Sequence, residues 1–180
     1  MIELRVISGK YKGKNLIGFD IDGTRPTMDR VKESLFGIIQ NQIKGSVVLD
    51  LFAGSGSLGI EALSNGANEA YFIDNNIELI NIIKKNTTGM NEKIHIIKSD
   101  YQNALELLKN SNIKFDIIFL DPPYKLNLIT DCLDKIVKYD LLNEDGIIVC
   151  EYENEEIETD KLILIKGKKY GSKKIKIYKM

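Results

Sequence analysis

Residues 47–59 read VVLDLFAGSGSLG, and this stretch decides the fold. Its first half is a short apolar run typical of a buried strand, and its glycines allow a tight turn into a helix. Gly54, Gly56 and Gly59 also match the G-x-G-x-x-G pattern of dinucleotide-binding loops. Asp74 follows Gly54 by 20 residues, where such a loop is expected to have a ribose-binding acid. The stretch therefore predicts a strand, a glycine loop and a helix that form a cofactor crevice at the carboxyl edge of a sheet.

From residue 47 onward, short apolar runs alternate with helical stretches, which is typical of a parallel sheet covered by helices. The predicted strands are Val47–Phe52, Ala70–Asp74, Ile94–Ser99, Phe115–Asp121, Gly146–Glu151, Lys161–Lys166 and Lys173–Lys179. The predicted helices are Ser57–Asn65, Ile77–Gly89, Tyr101–Lys109 and Leu126–Lys138. Only Gly167–Ser172 joins the last two strands, which is too short for a crossover, so these strands are expected to form an antiparallel hairpin. The prediction is an α/β, Rossmann-like, seven-stranded sheet whose last strand is antiparallel.

Residues 1–46 are predicted to form a separate N-terminal extension, and residues 47–180 the main domain. Two short strands, Leu4–Ser8 and Asn15–Phe19, surround a turn-rich tip. Thr27 is a plausible N-cap for a helix that runs from Met28 to about Gln42.

The composition is ordinary for a globular protein. Of the 180 residues, 43% are hydrophobic and 28% are charged. No apolar run approaches the roughly 20 residues that cross a bilayer, and the N-terminus does not resemble a signal peptide, so we expect a cytoplasmic protein with no membrane partner. The two cysteines have no metal-ligand spacing, which predicts no metal site. The small size favours a monomer.

The net charge of −1 conceals an uneven distribution. Residues 1–46 have a net charge of +3, residues 161–180 have +8, and the segment between them has −12. Basic ends are a weak indication of a polyanionic partner such as a nucleic acid.

Asp50 distinguishes between two classes of cofactor. A carboxylate at the end of the first strand would repel the pyrophosphate of NAD, but it suits a cationic ligand such as S-adenosylmethionine. Asp74 can then accept the ribose hydroxyls, and Asp100 the adenine amine, with Tyr101 beside the ring. The alternative for each acid is an N-cap at a strand-to-helix turn. The predicted cofactor-binding residues are Asp50, Phe52, Ala53, Gly54, Ser55, Gly56, Asp74, Asn75, Asp100 and Tyr101.

The sequence Asp121-Pro122-Pro123-Tyr124 directly follows the wholly apolar residues Ile117–Leu120 and is predicted to be the catalytic turn. Two consecutive prolines stiffen the backbone and remove two N–H donors, which leaves a preorganised acceptor site. The Asp121 carboxylate and the Pro122 carbonyl can accept the two N–H groups of an exocyclic base amine, and Tyr124 can stack on the base. The alternative is a strand-ending turn with no chemistry. Methyl transfer from a bound donor needs no enzyme nucleophile, which agrees with the lack of a Ser or Cys paired with a base.

With these residues in view, the chain closely resembles the RsmD-type bacterial methyltransferases. The shared stretches are residues 5–9 (RVISG), 24–36 (TRPTMDRVKESLF), 49–62 (LDLFAGSGSLGIEA) and 121–124 (DPPY). The glycine loop and the proline turn occur in many amino-methyltransferases, whereas the helix entry at residues 24–27 is more specific. The resemblance implies a class I S-adenosylmethionine-dependent methyltransferase fold, the N2 amine of a guanine in small-subunit (16S) rRNA as the target, and partly assembled small subunits as the substrate.

The basic ends are then predicted to bind RNA. If the sheet has the usual methyltransferase order, the tip at residues 167–172 lies at the same edge as the active site. We expect it and the N-terminal hairpin to hold phosphates on either side of the cleft, with two arginines at the entrance. The predicted RNA-binding residues are Lys10, Lys12, Lys14, Arg25, Arg30, Lys168, Lys169, Lys173 and Lys174.

Four alternatives stay open at this point. An adenine-N6 nucleic-acid methyltransferase would use the same two motifs, although its usual target-recognition domain has no room here. A protein-amine methyltransferase would not need the basic ends. A non-catalytic ribosome assembly factor would have kept the fold without the activity, and a nicotinamide oxidoreductase would use the glycine loop alone.

Overall fold

A computed structural model of the protein describes residues 3–19 and 29–180. The N-terminal hairpin pairs β1 (Glu3–Arg5) with β2 (Asn15–Ile17) in antiparallel register. The first helix, α1, spans Asp29–Ile43, so the predicted helix is confirmed from its second residue onward. The predicted N-cap, Thr27, lies outside the described residues.

The remaining elements form one mixed sheet of seven strands flanked by helices. The strands are β3 (Val47–Asp50), β4 (Glu69–Asp74), β5 (Lys93–Lys98), β6 (Phe115–Leu120), β7 (Leu142–Tyr152), β8 (Ile163–Tyr170) and β9 (Lys173–Lys179). The helices are α2 (Ser57–Ser64), α3 (Ile77–Asn86), α4 (Tyr101–Asn110) and α5 (Ile129–Lys138). The strand order is β5-β4-β3-β6-β7-β9-β8. All pairs from β5 to β7 are parallel, whereas β9 is antiparallel to both of its neighbours, which confirms the predicted sheet.

The C-terminal hairpin differs from the prediction in its length. The expected loop at residues 167–172 is mostly strand, because residues 167–170 pair with residues 173–176 and leave only Gly171 and Ser172 for the turn. The register shifts between Leu164 and Lys166, where β8 has an irregularity. Hydrogen bonding to β9 therefore outweighs the low strand propensity of glycine and lysine in this segment.

The core lies on both faces of the sheet. Helices α1, α2 and α3 cover one face, and α4 and α5 cover the other. Leu4 and Leu16 of the N-terminal hairpin belong to the same apolar cluster as Val48 and Phe72 of the sheet. The boundary predicted at residue 46 thus runs through a shared core, and the extension is packed against the main domain.

Within residues 3–19 and 29–180, every helix is too short or too polar to span a bilayer.

Candidate active site

A cleft of about 400 Å³ opens at the carboxyl edge of the parallel strands. This volume is within the usual range for a small-molecule site. The cleft brings together nearly all the predicted cofactor and catalytic residues, from the ends of four strands: Asp50, Phe52, Ala53, Gly54, Ser55, Asp74, Asn75, Asp100, Tyr101, Asp121, Pro122, Pro123 and Tyr124. Of the predicted cofactor-binding and catalytic residues, all of which the structure describes, only Gly56 does not line it.

The glycines of the loop are required for different structural reasons. Gly54 and Gly56 have backbone φ angles of 57° and 81°, which residues with a side chain rarely adopt. Gly56 precedes α2 in this left-handed conformation, so its role is to turn the chain rather than to face a ligand. A Cβ atom on Gly59 would lie 2.4 Å from the ring of Phe72, so this glycine allows α2 to pack closely on β4.

Asp50 is buried at the end of β3, with 1% of its surface exposed. Its carboxylate accepts a hydrogen bond from the N–H of Gly59 at 3.1 Å, in the first turn of α2. Burial raises the pKa of Asp50 to about 7, although the hydrogen bond from Gly59 opposes the shift. A buried carboxylate of this kind is stabilised by a nearby cation, which fits a ligand with a positively charged amine and sulfonium.

The carboxylate of Asp74, at the end of β4, holds the glycine loop through hydrogen bonds to backbone N–H groups. It accepts hydrogen bonds from the N–H groups of Gly54 at 3.0 Å and of Asn76 at 2.9 Å. Burial raises its pKa above the usual value, against the hydrogen bonds that lower it. The N-cap of α3 is Asn76, which accepts from Glu78, so the capping alternative does not account for Asp74.

Asp100 is an N-cap. Its side chain accepts hydrogen bonds from the backbone N–H of Asn103 at 2.9 Å and from the side-chain amide of Asn103 at 2.6 Å. The backbone hydrogen bond from Asn103 lowers the pKa of Asp100. Asp100 therefore caps α4 and also lines the cleft as an ionised acid, and its binding of adenine stays a prediction.

Aromatic rings form one wall of the cleft. The ring centres of Phe52 and Tyr101 lie 5.7 Å apart, and the Tyr101 hydroxyl donates a hydrogen bond to the Asp131 carboxylate at 2.8 Å. Phe19 also lines the cleft, and a Cβ on Gly54 would lie 2.9 Å from its ring. Sequence analysis missed Phe19 as a site residue because no local pattern links the end of β2 to the glycine loop.

The turn at Asp121–Tyr124, which is predicted to be catalytic, begins directly after β6. Tyr124 starts a short 3-10 turn, and its hydroxyl donates to Glu151 at 3.1 Å. Burial, with the nearby charges of Asp121 and Glu151, raises the pKa of Tyr124 above its usual range. Its hydroxyl therefore keeps its proton. Leu126, at the end of the 3-10 turn, also lines the cleft and was not predicted.

The N-terminal lysines are not at the cleft, so the prediction that they flank it is wrong. Lys10 pairs with Glu92 at 2.9 Å, and the ammonium of Lys14 donates to the carbonyl of Thr88 at 2.8 Å. Glu92 immediately precedes β5 and so lies at the amino edge, roughly 20 Å from the cleft across a six-residue strand. The tip, which includes the exposed Lys12, is held at this edge, where the backbone N–H of Lys10 donates to the carbonyl of Ser64 at the end of α2.

The C-terminal hairpin turn does reach the carboxyl edge. Lys168 and Lys169 are exposed on β8, and Lys174 is half-buried on β9. Lys173 differs from these lysines because it is buried and its ammonium pairs with Glu151, so it is not available to phosphates.

Of the two arginines predicted at the cleft entrance, the structure describes one. Arg30 is exposed in the first turn of α1. Arg25 lies outside the described residues. No cluster of three potential metal ligands occurs in the part of the chain that the structure describes.

Comparisons with known sequences identify the family to which the chain is similar. The model of one protein family, described as conserved hypothetical protein 95, matches residues 4–179. YlbH of Bacillus subtilis is 40% identical and covers 98% of both chains. The ribosomal RNA small subunit methyltransferase D of Haemophilus influenzae is 35% identical over 98% of this chain and 93% of its own.

Solved structures share the fold. The methyltransferase yhhF of Escherichia coli superposes with a TM-score of 0.85 and 27% identity, covering 98% of this chain and 97% of its own. The methyltransferase SMU.776, solved in complex with SAH, has a TM-score of 0.69 and 15% identity over 87% of this chain and 50% of its own. The predicted methyltransferase fold and enzyme class are confirmed.

Proposed function

Because the chain belongs to the RsmD-type methyltransferase family, we propose that it methylates small-subunit rRNA at the exocyclic N2 amine of a guanine, with S-adenosylmethionine as its cofactor. One observation carries the proposal. A single cleft is lined both by the acids around the glycine loop and by the turn Asp121–Tyr124, so a methyl donor and an amine acceptor can meet there.

The cofactor half of the cleft has the carboxylate acceptors and the negative charge that this ligand would need. Asp50 supplies negative charge toward its cationic end, and the loop around Gly54 approaches it without side chains. Asp74 accepts the ribose hydroxyls with oxygens that already accept backbone N–H groups, which fixes their direction. Asp100 and Tyr101 line the same cleft, and there Asp100 would accept the adenine amine with Tyr101 beside the ring.

The cofactor, when bound, supplies an electrophilic methyl group. The enzyme residues prepare the amine that attacks it. The Asp121 carboxylate and the Pro122 carbonyl accept the two N–H groups of the target amine and help to localise its lone pair, while Tyr124 stacks on the base. The N–C bond would form as the methyl–sulfur bond breaks, and the proton that the amine must then lose would pass to the Asp121 carboxylate or to water.

The RNA-binding surface is proposed to be the exposed part of the C-terminal hairpin together with the start of α1. It comprises Lys168, Lys169, Lys174 and Arg30, with Arg25 added from the sequence alone. Basic side chains next to a cleft bind the phosphates that flank a target base. We further propose that the protein acts as a monomer in the cytoplasm on partly or fully assembled small subunits.

The test is methyl transfer from labelled S-adenosylmethionine to unmethylated small subunits, free rRNA, duplex DNA and a protein extract, followed by nucleoside mass spectrometry. We expect N2-methylguanosine in the ribosomal samples, and its loss in Asp121→Ala. Asp134→Ala is the matched control, because this exposed acid on α5 pairs with Lys161 instead of lining the cleft.

Other outcomes separate the alternatives. N6-methyladenine or methylated protein would keep the chemistry and replace the substrate. Absence of transfer with intact cofactor binding would indicate a non-catalytic assembly factor.

A further inference from the structure

Two residues from separate elements, Tyr124 and Lys173, meet at the carboxylate of Glu151. The Tyr124 hydroxyl donates to Glu151 Oε1 at 3.1 Å, and the ammonium of Lys173 donates to the same oxygen. The ammonium also lies 5.9 Å from the centre of the Tyr124 ring. The side chains of Glu151 and Lys173 are 2% and 7% exposed, so the ion pair is shielded from water.

The alternation of β9 places Lys173 at this position. Lys174 and Lys176 face the other side of the sheet, where both approach the ring of Tyr152. Lys173 instead shares a face with Ile175 and Ile177 and reaches Glu151, near the end of β7. The lysine-rich sequence of this hairpin therefore contains one residue whose charge is directed inward.

The backbone around Tyr124 has little regular secondary structure that could fix its side chain. It begins a 3-10 turn of three residues, after which Asn127 has a φ of 49° and Leu126 is 58% exposed. Such a short turn does not fix a side chain through helical packing. The hydrogen bond to Glu151 is the contact that joins the Tyr124 hydroxyl to the sheet.

We propose that Glu151 and Lys173 are positioning residues that hold the ring of Tyr124 at the angle needed to stack on the target base. The inference rests on the proposed function, because it assumes that Tyr124 contacts the base. The ammonium of Lys173 balances the buried charge of the Glu151 carboxylate, and a charged acceptor makes a stronger hydrogen bond than a neutral one. Because β9 starts directly after the hairpin turn, the pair also joins the proposed RNA-binding surface to the catalytic turn.

The experiment is a double-mutant cycle on methyl transfer to unmethylated small subunits. It measures kcat and KM for the subunits in Tyr124→Phe, Lys173→Met and the double variant. Each single change is expected to lower kcat about tenfold, which corresponds to about 1.4 kcal/mol in the transition state. KM and the salt dependence of binding should stay at the wild-type values. The double variant should be no slower than the slower single variant, because both changes remove the same support.

Two further variants control for folding and for charge. Lys176→Met removes a lysine from the same strand on the opposite face and should keep wild-type kcat. Lys173→Arg keeps the cation and should restore kcat to within about threefold of wild type. Tyr124→Phe removes only a hydroxyl, so it keeps the test valid even if Lys173→Met fails to fold.

The outcomes that overturn the inference are distinct. Wild-type kcat in Tyr124→Phe would show that the hydrogen bond to Glu151 positions nothing. Multiplicative losses in the double variant would show that Lys173 and the Tyr124 hydroxyl act independently. A raised KM with a smaller salt slope in Lys173→Met would make Lys173 an RNA contact instead. No transfer to small subunits by the wild-type protein would overturn the proposed function, and this inference with it.

Discussion

The ammonium of Lys32 lies 3.2 Å from the carboxylate of Glu61, and both side chains are almost fully excluded from solvent. Glu61 also accepts hydrogen bonds from the backbone N–H groups of Ile7 and Ser8. The Lys32 ammonium further donates to the carbonyl of Arg5. This buried pair therefore joins the N-terminal hairpin, α1 and α2, the helix that follows the glycine loop.

Replacing Lys32 with Met is expected to lower the free energy of unfolding by about 3–5 kcal/mol, because it leaves the charge of Glu61 buried without its cation. The matched control is Arg5→Ala, which breaks the ion pair with Asp29. Both side chains of that pair are more than 40% exposed, and the change should cost less than about 1 kcal/mol. Urea unfolding of the three proteins measures both values, and equal losses would contradict the predicted role of burial.

Gly59→Ala should destabilise the protein although alanine is the better helix former. The new methyl group would lie 2.4 Å from the ring of Phe72, so α2 would have to move away from β4 and shift the glycine loop. Gly37→Ala in α1 is the control, because nothing lies within 4 Å of its Cβ position. That change should raise stability by about 0.5–1 kcal/mol. Thermal unfolding of both variants checks the opposite signs, and a higher Tm for Gly59→Ala would refute the packing argument.

Asp50→Asn should stabilise the ligand-free protein, and the gain should depend on pH. The pKa of Asp50 is about 7 in the folded protein and has its ordinary value of 3.8 in the unfolded chain. Between these values the unfolded chain ionises while the folded protein keeps the proton, so wild type loses stability as pH rises. The advantage of the variant should grow from about pH 4 to about pH 7 and then level off, reaching at most about 4 kcal/mol.

The measurement is urea unfolding from pH 4 to pH 8. Asp100→Asn is the control, because the pKa of Asp100 is lowered and that variant should gain nothing as pH rises. A pH-independent difference between wild type and Asp50→Asn would show that Asp50 is ionised throughout this range.

The two basic hairpins should contribute differently to RNA binding. Replacing Lys168 and Lys169 with Ala is expected to reduce the slope of log affinity against log salt concentration by about two, since each phosphate contact contributes about one. Replacing Lys10 and Lys14 removes the same charge at the opposite edge and should leave the slope unchanged. Filter binding to small-subunit rRNA over a range of salt concentrations measures both slopes, and equal changes would mean that RNA binding depends on total charge alone.

Local sequence signals were sufficient for the sheet and for most of the cleft. Strand and helix periodicity predicted every strand of the main sheet, and acids at the ends of β3, β4 and β5 converge at the cleft, as the parallel topology requires. Such features follow from side-chain alternation and from the rule that parallel strands end at one edge. The position of the proline turn after β6 is determined in the same way.

Only the tertiary structure decided where the charges and the distant contacts lie. In the sequence, Lys10 and Lys173 are simply lysines of two basic hairpins. In the structure, Lys10 pairs with Glu92 at the amino edge of the sheet, whereas Lys173 is buried against Glu151. Phe19 likewise reaches the cleft from another part of the chain. The physical reason is that a charge pattern gives the number of charges and their spacing along the chain. Whether a lysine meets solvent or a buried carboxylate depends on how two distant segments pack together.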